Sequence, residues 1–570
     1  MRTRTSRKTG CPRPRLPGGW SGRVECGGCV AVDEGRAVKA TGDWLIRRLR
    51  ERLVRLSGAA HLPADAPSTV PSLEQLHHAV DGVTGGRAGA VDDLASFLLA
   101  VGRHGDLDLV ARTEQALVGA KPRLWLVLDG SGRRGRWNVS AWADGAARRV
   151  AADHPGPLEL LLAACHPDGF VREAAVAALS ELDDVIALPA LALRAADWVP
   201  EVRDRARRAC RRHLDHAPTE AVTFLAPVAL ALRARQAGGW LAAALEALLR
   251  DGPPAALTAA LAAEDWRTRR VAHAIGLDTG RLGIDQLVRA ATTDTDLPIR
   301  IMCAEAAIRA ARATGDRDVP RRLLTSGTAA VRAEAVRALA AAGEVAPAAE
   351  ALADRSALVR ATAQAVVRGA GTDPATRYRV LLAEQQPPDP SVIAGLGETG
   401  TSSDADLLRL WLAHPSSRGR AEAVRALRRR GHTSPQLLLP LLADPAGSVT
   451  RQVTLSLLHQ SDSLDERSLR PLLGRPHPPH VQVAAYRLLR AHGPWTRISV
   501  DLHLVNDPGH AIAADARTDL ADWLRHDAAT AYSVPRGPRA DELSALLAEA
   551  EPILGSEQTR LLRFHLGLST

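Results

Sequence analysis

Apolar and small residues recur along most of the chain with the spacing of one face of an α-helix. In the segment AAVRAEAVRALAAAG this face comprises Val331, Ala335, Val336 and Leu339, at offsets 0, 4, 5 and 8. A second apolar segment precedes each such stretch, for example PAAEALAD before Val359, and it is long enough for about three turns of helix. Because each helix is apolar on one face only, the two segments are predicted to pack together as a helical hairpin.

The hairpin pattern repeats along the chain. The octapeptide RAEAVRAL occurs twice, at 332–339 and 420–427, and eight other segments, including the second copy, share the pattern of the first copy. The first apolar residue of each helix, here called the anchor, is Val171, Val202, Ile299, Val331, Val359, Val449, Val481 or Ile512, with Gly419 in that position by alignment. Intervals of 97 and 60 residues among spacings of 28 to 32 predict three degenerate copies, near Trp240, near Trp266 and in PPDPSVIAGLGETG. The sequence therefore predicts about twelve units of about 31 residues.

Two polar positions accompany the anchors. Five residues before the anchor, at a position here called the turn slot, stand Asp197, Asp294, Ser326, Asp354, Asp444 and Asp507, with His166 and His414 in two further units. Most of these are turn and N-cap residues, predicted to accept hydrogen bonds from N–H groups at the start of the second helix. Directly after the anchor stand Arg172, Arg203, Arg300, Arg332, Arg360 and Arg420. An Asp and an Arg repeated in every unit are expected to hydrogen-bond within or between units.

With these residues the chain resembles the HEAT-repeat family, especially the short HEAT-like repeats of the phycobilin-lyase type, over about residues 158–530. The resemblance implies an all-α, armadillo-type α-solenoid superhelix with an Asp–Arg ladder between units. We carry that role over to three pairs: Asp197 with Arg203, Asp294 with Arg300, and Asp354 with Arg360. In the last units Thr450, Gln482 and Ala513 replace the arginine, so the ladder is expected to end before the C-terminus.

Four segments are expected. Residues 1–40 are rich in Gly, Pro and Arg and are predicted to be a disordered basic tail, although a start at a downstream codon such as Val30 or Val38 explains them equally well. Residues 41–157 are a helical region and cap that begins with the helix WLIRRLRERLVRL, 158–530 are the solenoid, and 531–570 are a C-terminal helical cap.

Charge and composition narrow the classes of function that the chain can have. The net charge of +9 lies in residues 1–55, which hold 14 basic and 5 acidic residues, whereas the remaining 59 basic and 59 acidic residues cancel. A neutral body disfavours nucleic-acid binding without excluding it. Six cysteines in 570 residues make no disulfide framework, no apolar stretch reaches the length of a membrane span, and no apolar run of a secretory signal follows the basic residues of the N-terminus. The expected location is the cytoplasm, in a bacterium.

Three motifs resemble known binding or catalytic motifs, but we assign a functional site to none of them. Gly130 to Gly135 in LWLVLDGSGRRGRW match the spacing of a dinucleotide-binding loop, but no βαβ unit surrounds them, so an inter-helix loop is expected. Cys26 and Cys29, with Cys11 upstream, have no second ligand pair for zinc. The pairs Asp197-Trp198, Asp265-Trp266 and Asp522-Trp523 resemble the Asp and Trp of helical-repeat DNA glycosylases, but we expect these tryptophans to pack between units.

These observations predict no catalytic residue, no cofactor and no metal site. The expected function is a non-enzymatic scaffold or adaptor that binds a protein or peptide partner on the concave solenoid surface. The first alternative is a nucleic-acid-binding or DNA-repair array, and the second is a lyase-type enzyme that modifies a protein-bound cofactor. Arg-rich faces at RDRARRACRRH (203–213) and RALRRRG (425–431) are where the first alternative would act.

Deleting residues 1–40 is expected to leave helical content and melting temperature unchanged while removing most of the net positive charge, because those residues lack an apolar period. Circular dichroism of the full and shortened chains tests this. A large loss of helical signal in the shortened chain would show that residues 1–40 are part of the fold.

Overall fold

In the computed structural model, residues 72–104, 107–133, 147, 150–151, 155–182, 184–531 and 533–568 are described, and all their regular elements are helices. None of the described helices is long and apolar enough to cross a bilayer. The chain divides into two compact units, 1–275 and 276–570, each described here by itself. The helix predicted to begin at Trp44 lies outside the described residues, and so do Cys11, Cys26 and Cys29.

The first unit contains α1 Leu73–Gly85, α2 Ala90–His104, α3 Leu107–Val118, α4 Pro122–Arg133, α5 Pro157–Ala164, α6 Gly169–Glu181, α7 Ala187–Arg194, α8 Pro200–His216, α9 Pro218–Leu232, α10 Gly239–Asp251, α11 Pro254–Leu261 and most of α12 Trp266–Asp278.

The second unit contains α13 Ile284–Thr293, α14 Leu297–Thr314, α15 Asp318–Leu323, α16 Ala329–Ala341, α17 Ala346–Ala351, α18 Ala357–Gly369, α19 Pro374–Glu384, α20 Pro390–Thr399, α21 Ala405–Arg409, α22 Ser417–Arg429, α23 Pro435–Leu438, α24 Gly447–Leu457, α25 Glu466–Leu469, α26 Pro479–Arg490, α27 Pro494–Val505, α28 Ala513–His526, α29 Pro538–Leu554 and α30 Ser556–His565. Short 3-10 segments extend three of the first helices, at Leu410–Ala413, Leu439–Ala443 and Arg470–Leu473.

From α5 to α28 these helices alternate as first and second members of twelve hairpins, which confirms the predicted HEAT-like α-solenoid. Second helices of consecutive hairpins pack against each other, as in α6 with α8, α16 with α18 and α22 with α24. The three degenerate copies are confirmed as well, because α10, α12 and α20 lie where the intervals placed them.

The predicted apolar stripe forms the core of the array. Val331, Ala335, Val336 and Leu339 are all buried, with at most 1% of any side chain exposed. The anchors of the other recognised copies are buried in the same way, so one helical face per unit supplies the interface to its neighbours.

Some first helices are shorter than the predicted three turns. The segment PAAEALAD contributes only its first five residues to α17, which is six residues long. The N–H groups of Ala353 and Asp354 then donate to Glu350 and Ala351, three residues earlier, so the chain tightens into a turn before the next helix.

The turn-slot side chains accept hydrogen bonds two residues ahead. Asp354 accepts from the N–H of Ser356 at 2.7 Å and Asp444 from Ala446 at 2.8 Å, and a ring nitrogen of His414 accepts from Ser416 at 3.0 Å. The acceptor role is therefore confirmed, but the donor is the residue before the helix rather than an N–H of its first turn. The slot residue fixes the turn, as in an Asx turn.

The arginine after each anchor joins two consecutive hairpins. Arg332 donates from Nε and Nη2 to the two carboxylate oxygens of Asp354 in the next hairpin, each at 2.8 Å. Its Nη1 donates at 2.7 Å to the carbonyl oxygen of Ser326, six residues earlier in its own hairpin. We call this three-bond arrangement a rung.

Two further rungs have the same geometry. Arg172 holds Asp197 at 3.0 and 3.1 Å, and Arg420 holds Asp444 at 2.7 and 2.9 Å. Arg172 and Arg420 also donate to the carbonyl oxygens of His166 and His414 in their own turn slots.

The ladder is thus confirmed, but the three pairings proposed for it are wrong. Arg203, Arg300 and Arg360 donate to the backbone carbonyls of Asp197, Asp294 and Asp354, not to their carboxylates. An arginine six residues after the slot residue lies at the start of the helix that follows. Its side chain reaches the backbone carbonyl of the slot residue but not the carboxylate. The carboxylate partner comes from the next hairpin, 22 to 25 residues later in the three rungs.

Where the chain departs from the pattern, other groups take over. Ser326 occupies the slot facing Arg300, which donates to the hydroxyl of Thr328 at 2.9 Å. Arg360 turns to the carboxylate of Glu398. Thr450 and Gln482 replace the arginine and still donate to turn carbonyls of their own hairpins, so charged rungs end at Asp444 as expected.

Breaking one rung should destabilise the array locally. Burial alone would raise the pKa of Asp354, but the hydrogen bonds from Arg332 and Ser356 outweigh it and hold the pKa below its usual range. Asp354→Ala leaves a nearly buried guanidinium without its carboxylate, with an expected cost of about 1–3 kcal/mol. Asp354→Asn keeps the bond to Ser356 and should cost less.

Urea unfolding midpoints, with hydrogen exchange read by mass spectrometry, measure both variants. The lost protection should centre on the hairpins that carry Arg332 and Asp354. The matched control is Asp318→Ala, because Asp318 is 82% exposed and its partner Arg321 keeps Glu344. Equal effects of Asp354→Ala and Asp318→Ala would contradict a stabilising rung.

Candidate binding surface

The described part of the glycine-rich segment, 130–133, is helical, so the predicted inter-helix loop is wrong for these residues. Gly130, Ser131 and Gly132 lie within α4, and 134–137 lie outside the described residues. The apolar run before Gly130 buries Leu124, Trp125 and Leu128, and this packing outweighs the low helix propensity of the glycines.

Asp129, at the end of that run, belongs to a buried ion network. Arg194 donates to Asp129 and, at 2.8 Å, to Asp197, which also holds Arg172 of the first rung. The side chains of these four residues are at most 1% exposed. A third arginine, the half-exposed Arg235, also donates to Asp129, at 3.3 Å. The network ties α4 to the rung, and its aspartates are held by arginines.

Each carboxylate of the three Asp–Trp pairs has partners of its own. The carboxylate of Asp197 is held in the first rung, that of Asp265 accepts from the N–H of Thr268 at 2.9 Å, and that of Asp522 pairs with Arg525 at 3.0 Å.

The expected packing of these tryptophans between units holds only for Trp523, which is buried. Trp198 and Trp266 are 69% and 40% exposed. The indole ring of Trp198 is therefore accessible at the surface of the first unit, whereas the guanidinium carbons of Arg267 and Arg270 lie 4.3 and 4.5 Å from the centre of the Trp266 ring.

Arginines and tryptophans of the first unit form one continuous surface. Arg203, Arg207 and Arg211 stand one turn apart on α8. Arg203 donates to the carbonyls of Asp197 and Trp198 at the start of the helix. Further along, the guanidinium carbons of Arg207 and Arg211 lie 5.0 and 5.3 Å from the centre of the Trp240 ring. We call the surface formed by Trp198, these three arginines and Trp240 the Arg–Trp ridge.

The ridge carries positive charge with little compensation. Arg203 has only Asp204 near it, at 3.7 Å, and within the described part of the chain no carboxylate lies within ion-pair distance of Arg207 or Arg211. Burial and then the neighbouring charge of Arg203 lower the pKa of Arg207, and Asp204 offsets this in part. An anion at the ridge would relieve this repulsion.

The second Arg-rich face is half neutralised. In RALRRRG, Arg425 pairs with Glu422 at 2.6 Å and Arg429 with Glu398 at 3.4 Å. Arg428 and Arg430 donate to carbonyls of adjacent hairpins. Two of the four arginines of this segment are thus paired with carboxylates, whereas on α8 neither Arg207 nor Arg211 has a carboxylate partner among the described residues.

Other candidate chemistry is enclosed. Burial raises the thiol pKa of both Cys210 and Cys303 to about 12, which makes neither a nucleophile at neutral pH. The described residues hold no cluster of His, Cys, Asp and Glu suited to a metal ion.

One buried carboxyl group in the second unit stands apart. Asp501 accepts from the Tyr486 hydroxyl at 2.5 Å and shares a hydrogen bond with Asp519, which Arg490 and Arg497 neutralise. Burial, followed by the bond to Asp519 and its charge, raises the pKa of Asp501 to about 9. Asp501 is 1% exposed, so this proton holds the core together and does not face a substrate.

Asp501 should make the free energy of unfolding decrease as the pH rises. Its unfolded pKa is about 3.9, so its contribution is fully present below about pH 4 and is lost as the pH rises towards 9. Asp501→Asn retains both hydrogen bonds without a titrating proton. The variant should gain stability relative to the wild type between pH 5 and pH 9, measured by urea unfolding. Parallel pH profiles would contradict the raised pKa, and the half-exposed Asp522→Asn is the control.

Comparisons with known proteins add only a general likeness. No protein-family model matches the chain, and no curated protein does. An engineered protein of known structure is 19% identical, covering 75% of this chain and 96% of its own, with a TM-score of 0.18. Importin beta is 12% identical, covering 94% and 88%, with a TM-score of 0.22, and UNC-45 from Drosophila melanogaster is 11% identical, covering 93% and 82%, with a TM-score of 0.21.

Scores this low carry no argument about function. The narrower likeness to repeats of the phycobilin-lyase type and the bacterial origin stay predictions. The chain's own hairpins and rungs establish its HEAT-like α-solenoid fold.

Proposed function

We propose that the protein is a non-enzymatic scaffold of the bacterial cytoplasm that binds a protein or peptide partner on its solenoid surface. The observation that carries this proposal is the ring of Trp198, 69% exposed just before α8, the helix on which Arg207 and Arg211 have no carboxylate partner among the described residues. Tryptophan and arginine are the residues most enriched at the energetic centres of protein interfaces.

The position of Trp198 supports the proposal. The ring stands 5.7 Å from the buried guanidinium carbon of Arg172, and its own backbone carbonyl accepts from Arg203. Phe170, 44% exposed, begins the neighbouring helix α6, which packs against α8. Two aromatic side chains are thus presented at the same end of adjacent second helices, on a backbone that the first rung fixes. A fixed backbone lowers the entropy lost on binding.

A second candidate function is nucleic-acid binding, favoured by the same arginines. It requires several phosphate contacts, and the balanced charge of the chain beyond residue 55 supplies no broad positive field for them. Nucleic acid is therefore the alternative outcome of the binding test.

Affinity capture with the full chain, followed by mass spectrometry and calorimetry with the purified partner, is expected to identify a specific protein. Trp198→Ala should weaken its binding by about tenfold or more, the range for a central interface tryptophan. Leu410→Ala, which removes an apolar side chain 67% exposed in the second unit, is the matched control.

Binding of duplex and single-stranded nucleic acid by the same proteins separates the two functions. We expect weak binding with a shallow dependence on salt. Nanomolar affinity at physiological salt with a steep salt slope, together with failure to retain any protein, would replace the scaffold with a nucleic-acid-binding function.

A further inference from the structure

The ridge has an arrangement suited to a particular class of partner segment. Its three arginines repeat every four residues along α8, which spaces them by about 6 Å along the helix axis. Alternate residues of an extended peptide project to one side at intervals of about 6.6 Å. Acidic side chains at every second position of an extended segment therefore match the spacing of the guanidinium groups.

Two of these guanidinium groups are held in place before any ligand arrives. Arg207 donates from Nε to the carbonyl of Ala195 at 3.0 Å and from Nη2 to that of Ala237 at 3.1 Å, and it lies against Trp240. Arg211 lies against the same ring, and no hydrogen bond from it occurs within the described residues. Since a guanidinium has five N–H donors, Arg207 and Arg211 retain donors for carboxylates at a small further loss of side-chain entropy.

The charge of α8 is predominantly positive. The helix holds six arginines against Glu201, Asp204 and Asp215. Arg205 and Arg212, on another side of the helix, reach back to Glu173 and to the carbonyl of Ser180 in α6. The ridge arginines make no such contact with an acid of α6, so their charge complements an acidic ligand.

The ridge suits the carboxylates of an acidic peptide better than the phosphates and bases of a nucleic acid. Trp240 already holds two guanidinium groups, so it is not a free platform for base stacking of the kind single-strand-binding proteins use. Trp198 lies at one end of the arginine row, where it can contact an apolar side chain next to the acidic residues.

We propose that the Arg–Trp ridge binds an extended acidic segment of a protein partner, with Asp or Glu at alternate positions and an apolar residue at the Trp198 end. This rests on the proposed scaffold function and names the chemistry of the segment bound. The carboxylates pair with Arg203, Arg207 and Arg211, and the apolar side chain packs on the indole of Trp198.

The test uses the full chain and a fluorescent peptide with one phenylalanine followed by four glutamates that alternate with serines. Fluorescence anisotropy compares it with the same peptide carrying glutamine for glutamate, and with a single-stranded oligonucleotide of equal charge. We expect binding of the glutamate peptide at 0.15 M salt and loss of binding with the glutamine peptide.

The matched variants remove the same charge from different sides of α8. Arg207→Gln with Arg211→Gln should weaken the glutamate peptide by about tenfold, since each exposed ion pair contributes a factor of a few. Arg205→Gln with Arg212→Gln should change it by less than about twofold, because charges beyond about 8 Å are screened at this salt. If the loss of Arg207 disturbs the fold, Arg211→Glu alone tests the ridge, because Arg211 makes no hydrogen bond within the described residues. This variant should also weaken binding of the glutamate peptide.

Four results would overturn the proposal: no binding of the glutamate peptide, equal binding of the glutamine peptide, equal weakening by both pairs of substitutions, or tighter ridge-dependent binding of the oligonucleotide. If a captured protein partner binds the double variant Arg207→Gln, Arg211→Gln as well as the wild type, the scaffold function stands and the ridge proposal fails. Peptide binding without any protein partner would instead leave the ridge chemistry standing and remove the scaffold function.

Discussion

The rung is the interaction on which the arrangement of the hairpins depends. One guanidinium satisfies a turn carbonyl of its own hairpin and both oxygens of a carboxylate in the next, while that carboxylate also fixes its own turn. A planar fork with this many fixed partners permits one register between neighbouring hairpins, whereas small apolar side chains alone would permit sliding. Alanine and valine supply the packing energy, and the rung selects one of several packed arrangements.

The departures from the rung show which part of it is indispensable. The slot carboxylate is replaced by the Thr328 hydroxyl or by the carboxylate of Glu398, and the arginine itself by Thr450 or Gln482. In each case a side chain still donates to a carbonyl or hydroxyl at the turn. Donation to a turn acceptor is therefore the constant part of the arrangement, and the charge of the donating side chain is the variable part.

The sequence predicted the repeat, the stripe of Val331 to Leu339 and even the degenerate copies, because each depends on local periodicity. It misassigned the partner of Asp354, since Arg360 of the same hairpin reaches only the Asp354 carbonyl, whereas Arg332 of the preceding hairpin reaches its carboxylate. Exposure of Trp198 and the place of Trp240 beside α8 depend on how neighbouring hairpins pack. The spacing of Arg203, Arg207 and Arg211 was visible beforehand, but nothing local indicated that their charge would remain unpaired.

The octapeptide RAEAVRAL begins, in both copies, with the arginine of a rung: Arg332 and Arg420. Each copy carries the donor for the next hairpin, whose slot, Asp354 or Asp444, carries the acceptor. The slots of the two copies themselves hold Ser326 and His414. A hairpin with both an aspartate in its slot and an arginine after its anchor, such as the one with Asp354 and Arg360, carries both halves of the pattern, so duplication of such a hairpin would leave matching ends.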